Sequence, residues 1–119
     1  MLSWVTIVEA HVPEASVDSM YDVTIIGAGP SGLFAAYYAG FRGLSVKIID
    51  SQPDLGGQVT ALYPDKHIYD VPGFPKVLGK ELVANLVEQA MQYQPAVVLN
   101  EEIRSFERLP DRTFRFTGT

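Results

Sequence analysis

Two short runs with strand character stand on either side of a segment of small and apolar residues. Val23–Ile26 is apolar and rich in β-branched residues, which is typical of a strand buried in a sheet, and Ser45–Ile49 is predicted as a second strand. Between them, the segment from Pro30 to about Phe41 carries small residues suited to close packing, and Gly40 and Gly43 mark its end. The pattern predicts a β-α-β unit.

The second half of the chain continues with one helix and three further strands. A helix is predicted from Gly79 to about Tyr93, and a strand over Ala96–Leu99. Ile103–Arg108 and Thr113–Thr117 flank a Leu-Pro-Asp turn, which predicts a β-hairpin. The helix places six apolar residues on one face: Leu82, Val83, Leu86, Val87, Ala90 and Met91. The expected fold class is α/β, with a parallel sheet and a C-terminal β-hairpin.

Residues 1–19 differ in pattern from the rest of the chain. Ser3–Val8 has the character of a short strand, and the stretch after it is polar. A methionine stands directly before the first buried strand and resembles a natural start. We therefore expect residues 1–19 to be an N-terminal extension without chemistry, and residues 20–119 to form the domain. The alternative is that Trp4 and Ile7 pack on a partner or on the edge of the sheet.

Composition narrows the class of protein. The chain has 119 residues, 47% of them hydrophobic and 19% charged, which is typical of one globular domain. The net charge of -5 argues against nucleic acid as a partner, and no cysteine is available for disulfides or thiolate metal sites. No apolar run reaches the length of about 18 residues that a membrane helix needs. We expect a cytoplasmic protein without a signal peptide or a membrane partner.

Between the first strand and the first helix lies the pattern G-x-G-x-x-G. Gly27 permits a tight turn, Gly29 permits close approach of a pyrophosphate to the backbone, and Gly32 lets the helix lie close to the strand. The helix N-terminus offers free N–H groups to phosphates. Pro30 suits the first helical position, and the hydroxyl of Ser31 is a further candidate for phosphate contact. A Rossmann-like nucleotide-binding unit is predicted.

An acidic residue stands where the second strand ends. Asp50 follows Gly32 at close to the spacing of about 20 residues that is typical of dinucleotide-binding units. Its carboxylate can accept hydrogen bonds from both ribose hydroxyls, and a 2′-phosphate there would meet a like charge. The site should therefore hold FAD or NAD rather than NADP. The less favoured alternative is a group of turn glycines beside a solvated Asp50.

The long loop over residues 51–75 favours FAD over NAD. Gly56–Gln58 combines two conformationally permissive glycines with an amide that can donate and accept hydrogen bonds. Tyr63 can stack on a flat ring, and Pro72–Pro75 is a stiff turn that presents an aromatic side chain. A loop of this length in a small domain is usually functional.

Three segments together resemble one family. They read D-V-T-I-I-G-A-G-P-S-G-L, then L-G-G-Q, then A-L-Y-P-D-K-H-I-Y-D-V-P-G-F-P. The chain resembles ferredoxin–NADP reductases of the thioredoxin-reductase-like type from Tyr21 to about Phe116. The glycine loop is shared by many flavoproteins, whereas the tyrosine-rich L-Y-P segment is specific, and thioredoxin reductases usually lack it.

The resemblance implies a role for four residues outside the glycine loop. Asp50 would bind the adenosine ribose, although many members of the family carry Glu there. Gln58 and Tyr63 would contact the flavin side of FAD, and the backbone near Ile103 would contact the adenine. The alternatives are that Gln58 caps a turn, that Tyr63 is a core tyrosine, and that Ile103 is a plain strand residue.

The resemblance also implies the activity of the longer protein to which such a segment belongs. That protein is a FAD-dependent oxidoreductase, a homodimer, that takes a hydride from NADPH and passes single electrons to a ferredoxin- or flavodoxin-like carrier. The chain holds no second G-x-G-x-x-G for NADPH. We therefore expect an incomplete FAD-binding domain that is inactive alone. The alternatives are the same portion of a thioredoxin reductase, which a downstream Cys-x-x-Cys would reveal, and a stand-alone nucleotide-binding module without catalysis.

The remaining polar residues are not expected to perform chemistry. His11 and His67 have no partners at metal-ligand spacing, so we predict no metal site and no catalytic residue in this chain. Glu101, Glu102 and Arg104 are interpreted as a solvated strand edge.

Overall fold

The computed structural model describes residues 3–9 and 20–119, and it has three helices and eight strands within those residues. The strands are β1 (Ser3–Glu9), β2 (Met20–Ile26), β3 (Val46–Ile49), β4 (His67–Ile68), β5 (Val77–Leu78), β6 (Ala96–Val98), β7 (Ile103–Arg108) and β8 (Phe114–Gly118). The helices are α1 (Pro30–Phe41), α2 (Gly57–Leu62) and α3 (Gly79–Met91). Among the described residues, no helix has the length and apolar character needed to cross a membrane.

Six of the strands form one sheet in the order β6-β3-β2-β1-β8-β7. β2, β3 and β6 run parallel to one another, as expected for strands joined by helical crossovers. β7 and β8 form an antiparallel hairpin. The predicted α/β class, the parallel sheet and the C-terminal hairpin are confirmed.

β1 joins the parallel strands to the hairpin. It pairs antiparallel with β2 and parallel with β8, so that it lies inside the sheet rather than at its edge. The strand predicted over Ser3–Val8 is therefore present. The interpretation of residues 1–19 as an extension without chemistry stays a prediction, and residues 10–19, with His11, lie outside the described residues.

The hydrophobic core lies between one face of the parallel strands and the two longer helices. Alternate residues of β2 and β3 point to this face because successive side chains of a strand point to opposite sides. Small residues let the helices approach closely, and a Cβ on Gly40 would lie only 2.5 Å from the Cβ of Tyr93 beyond α3. The buried residues of the core are Val23, Ile25, Ala28, Leu33, Ala36, Val46, Ile48 and Ala90.

The segment predicted as a loop from residue 51 to 75 contains two short elements. α2 occupies Gly57–Leu62, and His67–Ile68 pairs antiparallel with Val77–Leu78 as a two-stranded sheet. Neither is long enough to show a hydrophobic period, so the sequence pattern could not reveal them. They are held by backbone contacts to the start of α3, where the N–H of Gly79 donates to the carbonyl of Lys66 at 2.9 Å.

The hairpin turn is closed by an aspartate. Oδ1 of Asp111 accepts hydrogen bonds from the hydroxyl of Thr113 at 2.6 Å and from its backbone N–H at 3.0 Å. These hydrogen bonds favour the charged form and lower the pKa of the Asp111 carboxyl.

Candidate functional site

The glycine loop, Gly27–Gly32, connects the carboxyl end of β2 to the start of α1. Gly27 adopts φ 110°, a conformation that favours glycine, and its N–H donates to the carbonyl of Ile49 at 2.8 Å. α1 begins at Pro30, and the exposed Ser31 follows in its first turn. The loop thus presents a helix N-terminus at the carboxyl edge of the parallel strands, where α/β sheets bind ligands.

Two positions of this loop carry glycine for different reasons. A Cβ on Gly32 would overlap the carbonyl oxygen of Gly27, so close packing of α1 on β2 requires glycine there. Gly29 has an ordinary φ of -75°, and a Cβ built on it would have no heavy atom within 4 Å. Neither conformation nor packing inside the protein requires glycine at position 29. A ligand that lies against the backbone does require it, and a pyrophosphate at a helix N-terminus fits this requirement.

Asp50 is a buried carboxylate beside the glycine loop. Only 9% of the residue is exposed. Its Oδ2 accepts a hydrogen bond from the N–H of Ala28 at 2.6 Å, and its Oδ1 accepts one from the N–H of Gln52 at 2.8 Å. Because each carboxylate oxygen can accept two hydrogen bonds, each has the capacity for one more donor besides these backbone groups. The contact to Ala28 is a function of Asp50 that the sequence pattern did not reveal.

A cleft of about 200 Å³ opens at this edge of the sheet. We call it the Asp50 cleft. It brings together residues from the ends of three neighbouring segments, namely Ile26, Gly27, Ile49, Asp50, Ser51, Glu101, Glu102 and Ile103. The structure therefore places Ile103 in the same cleft as Asp50, although the two residues are distant along the chain. A backbone hydrogen bond of 3.0 Å from the N–H of Glu101 to the carbonyl of Asp50 joins the segment before β7 to the end of β3.

The acidic pair, interpreted as part of a solvated strand edge, stands directly before the edge strand β7 and also borders the Asp50 cleft. Glu101 and Glu102 line the Asp50 cleft, and Glu101 is only partly exposed. Oε2 of Glu101 accepts a hydrogen bond from the hydroxyl of Thr119 at 2.9 Å, and Glu102 lies 3.6 Å from Arg104 in an exposed ion pair. Asn100, directly before the pair, has a positive φ of 58°.

A second glycine pair packs against the glycine loop. The N–H of Gly56 donates to the carbonyl of Ala28 at 2.8 Å, and Gly57 lies directly against Gly29. Gln58 is exposed in the first turn of α2. Tyr63 directly follows α2. It does not line the Asp50 cleft, whereas Ile103 does. The predicted cofactor residues thus form two groups, one at the cleft and one at α2, with the glycine loop between them.

Tyr63 is neither a core residue nor fully solvated. The residue is 43% exposed, so the alternative interpretation as a core tyrosine does not hold for this chain. The ammonium group of Lys66 lies 5.4 Å from the centre of its ring, at cation–π distance. Among the described residues, no group of three His, Asp or Glu side chains could hold a metal ion.

Comparison with known proteins agrees with the resemblance predicted from the sequence. Residues 25–74 match the family described as NAD(P)-binding Rossmann-like domain. Ferredoxin–NADP reductase 2 of Shouchella clausii is 58% identical over 98 residues, which are 82% of this chain and 30% of that protein. Ferredoxin–NADP reductase of Geobacillus thermodenitrificans is 52% identical over 83% of this chain and 30% of its own length.

A solved structure with the same fold is that of a thioredoxin reductase from T. acidophilum. It is 32% identical, with a TM-score of 0.69, and the match covers 82% of this chain and 30% of that one. The chain therefore spans about 30% of the length of the proteins that it matches. The predicted resemblance to ferredoxin–NADP reductases of the thioredoxin-reductase-like type is confirmed.

Proposed function

We propose that this chain, which resembles the ferredoxin–NADP reductases over four-fifths of its length, binds FAD as part of a FAD-dependent oxidoreductase. The observation that carries the proposal is the space beside Gly29. That glycine directly precedes a helix, its conformation suits any residue, and no protein atom lies within 4 Å of where its Cβ would be. A pyrophosphate held by the helix N-terminus explains why the position carries glycine.

Each end of the cofactor has a group of residues suited to it. The Asp50 cleft offers a buried carboxylate for the ribose hydroxyls, with the backbone near Ile103 beside it for the adenine. The hydroxyl of Ser31 adds to the free N–H groups of α1 at the pyrophosphate. Gln58 and the exposed ring of Tyr63 suit the flavin end. When bound, FAD supplies the chemistry that converts two-electron into one-electron transfer.

The activity of the longer reductase is part of the proposal. NADPH, held by a second domain, is the electron donor, and a ferredoxin- or flavodoxin-like carrier is the acceptor, in the cytoplasm. The names of the matched relatives support the carrier and the nucleotide. A homodimer is supported by three aromatic residues of α1, Phe34, Tyr38 and Phe41, each about half exposed. Residues 20–119 form the FAD-binding portion in this proposal, and residues 1–19 are an extension of it.

Ligand titration of the chain tests the site without any assay of turnover. We expect FAD and ADP to bind and FMN not to bind, because FMN lacks the adenosine that the Asp50 cleft holds. Adenosine 2′,5′-bisphosphate should bind at least about tenfold more weakly than AMP, from which it differs only by the 2′-phosphate, since that phosphate meets the Asp50 carboxylate. Equal binding of FMN and FAD, or of AMP and adenosine 2′,5′-bisphosphate, would contradict the assignment of the cleft to the ribose.

The 119-residue chain should bind FAD too weakly to keep it through purification. Tyr63 is 43% exposed, and the sequence holds one glycine loop, so the described residues surround the adenosine end better than the flavin end. We expect a nearly colourless protein that self-associates and does not reduce an acceptor dye with NADPH when FAD is added. Visible absorbance, gel filtration and a diaphorase assay check this. A yellow monomer that oxidises NADPH would show that these residues suffice for catalysis.

A further inference from the structure

The backbone of Ala28 is held from both sides. Its N–H donates to Oδ2 of Asp50 at 2.6 Å, and its carbonyl accepts from the N–H of Gly56 at 2.8 Å. The residue is fully buried. Both polar groups of this residue are therefore used, one by the cleft carboxylate and one by the second glycine pair. The orientation of the next residue, Gly29, follows from these two hydrogen bonds.

Gly57 touches the glycine loop at Gly29. Gly57 has φ 59°, and a Cβ built on it would lie 3.0 Å from Cα of Gly29 and 3.4 Å from its nitrogen. Any side chain at position 57 would therefore press on the backbone of Gly29. Because Ala28 is held in place, Gly29 cannot move as a unit with its neighbour. The backbone against which a pyrophosphate would lie would have to shift by a few tenths of an ångström.

We infer that Gly57 is a positioning residue for the pyrophosphate: it acts through Gly29 and sets the position of the backbone against which the pyrophosphate would lie. The inference rests on the proposed function, because it assumes that the loop holds a pyrophosphate. It assigns to the second glycine pair a task different from contact with the ligand. Binding of adenosine, which has no phosphate, does not depend on the position of the Gly29 backbone, whereas binding of ADP and FAD does.

The test compares Gly57→Ala with a matched control, Gly43→Ala. Gly43 also has a positive φ, of 83°, and a Cβ on it would have no heavy atom within 4 Å. Both changes introduce the same kind of backbone strain, but only one presses on the loop. We expect Gly57→Ala to bind ADP at least about tenfold more weakly than Gly43→Ala, and both variants to give the same NMR shifts with adenosine. In the absence of any ligand, amide hydrogen exchange at Ala28 should be faster in Gly57→Ala than in Gly43→Ala.

Each result decides between distinct conclusions. Equal ADP binding by the two variants overturns the role of Gly57 and leaves the proposed function standing. Loss of adenosine and ADP in equal measure also overturns it, because Gly57 would then support the fold as a whole. A parent chain that binds neither ADP nor FAD removes the proposed function and this inference together. If Gly57→Ala does not fold, Gly57→Asn with Gly43→Asn replaces the pair, because Asn tolerates the left-handed conformation.

Discussion

Gly29→Val is expected to abolish binding of FAD and ADP while the ligand-free protein remains folded. The valine side chain would fill the space in which the pyrophosphate should lie, and no protein atom within 4 Å opposes its Cβ. The φ of -75° suits valine. Valine is a poorer residue than glycine before a helix, so the free energy of unfolding should fall by about 1 kcal/mol. Urea denaturation measures the stability, and fluorescence titration measures the binding.

Gly32→Ala, in the same loop, is a comparison variant that should lose stability where Gly29→Val largely keeps it. Its Cβ would overlap the carbonyl oxygen of Gly27 and lie 3.4 Å from Cγ2 of Ile25, so α1 must move away from β2. We expect it to lower the free energy of unfolding by about 1–3 kcal/mol, as overpacking usually does. FAD binding by Gly29→Val as tight as that of the parent chain would show that the glycine loop does not hold the phosphates.

Asp50→Ala is expected to affect both cofactor binding and stability. The change removes the acceptor for the ribose, which should weaken FAD by about 1–3 kcal/mol. It also leaves the buried N–H of Ala28 without its partner, which should lower the free energy of unfolding by about 1–3 kcal/mol. The two effects are separable, because titration with FAD measures the binding and denaturation of the ligand-free chain measures the stability.

Asp54→Ala is a suitable control for the loss of charge, since Asp54 is an exposed carboxylate in the same loop. It should change neither quantity by more than about 0.5 kcal/mol. If Asp50→Ala lowers stability but binds FAD as tightly as the parent does in titration, the carboxylate organises the glycine loop and does not hold the ribose.

The sequence predicted the long elements well because proline, glycine and turn residues mark their ends and, in α3, burial of one face imposes a period. α1 begins at Pro30 and ends at Phe41 as predicted, and the hairpin strands agree to within a residue. α2 and the short sheet of β4 and β5 could not be predicted in this way. Their six and two residues depend on backbone hydrogen bonds to the start of α3 and on glycines with positive φ, not on a repeating pattern.

Part of the candidate site was also accessible from spacing alone. The three glycines and the acid lie together because parallel strands end at the same edge of the sheet. The role of Ala28 was not accessible, because its methyl group carries no chemical signal and its contacts are made by backbone atoms. The same holds for the approach of Gly57 to Gly29, which joins segments that are distant along the chain.

The position of β1 determines the order in which the sheet can form during synthesis. β1 is made before β2, its neighbour along the chain, and can pair with it as soon as β2 has been made. Its other edge pairs with β8, where Ile7 lies opposite Phe114, so that edge stays open until β8 has been made. Pairing across such a separation is slow, and an open strand edge is a template for pairing between chains. Translation of this segment therefore leaves a nascent chain with an interval in which it is vulnerable to aggregation.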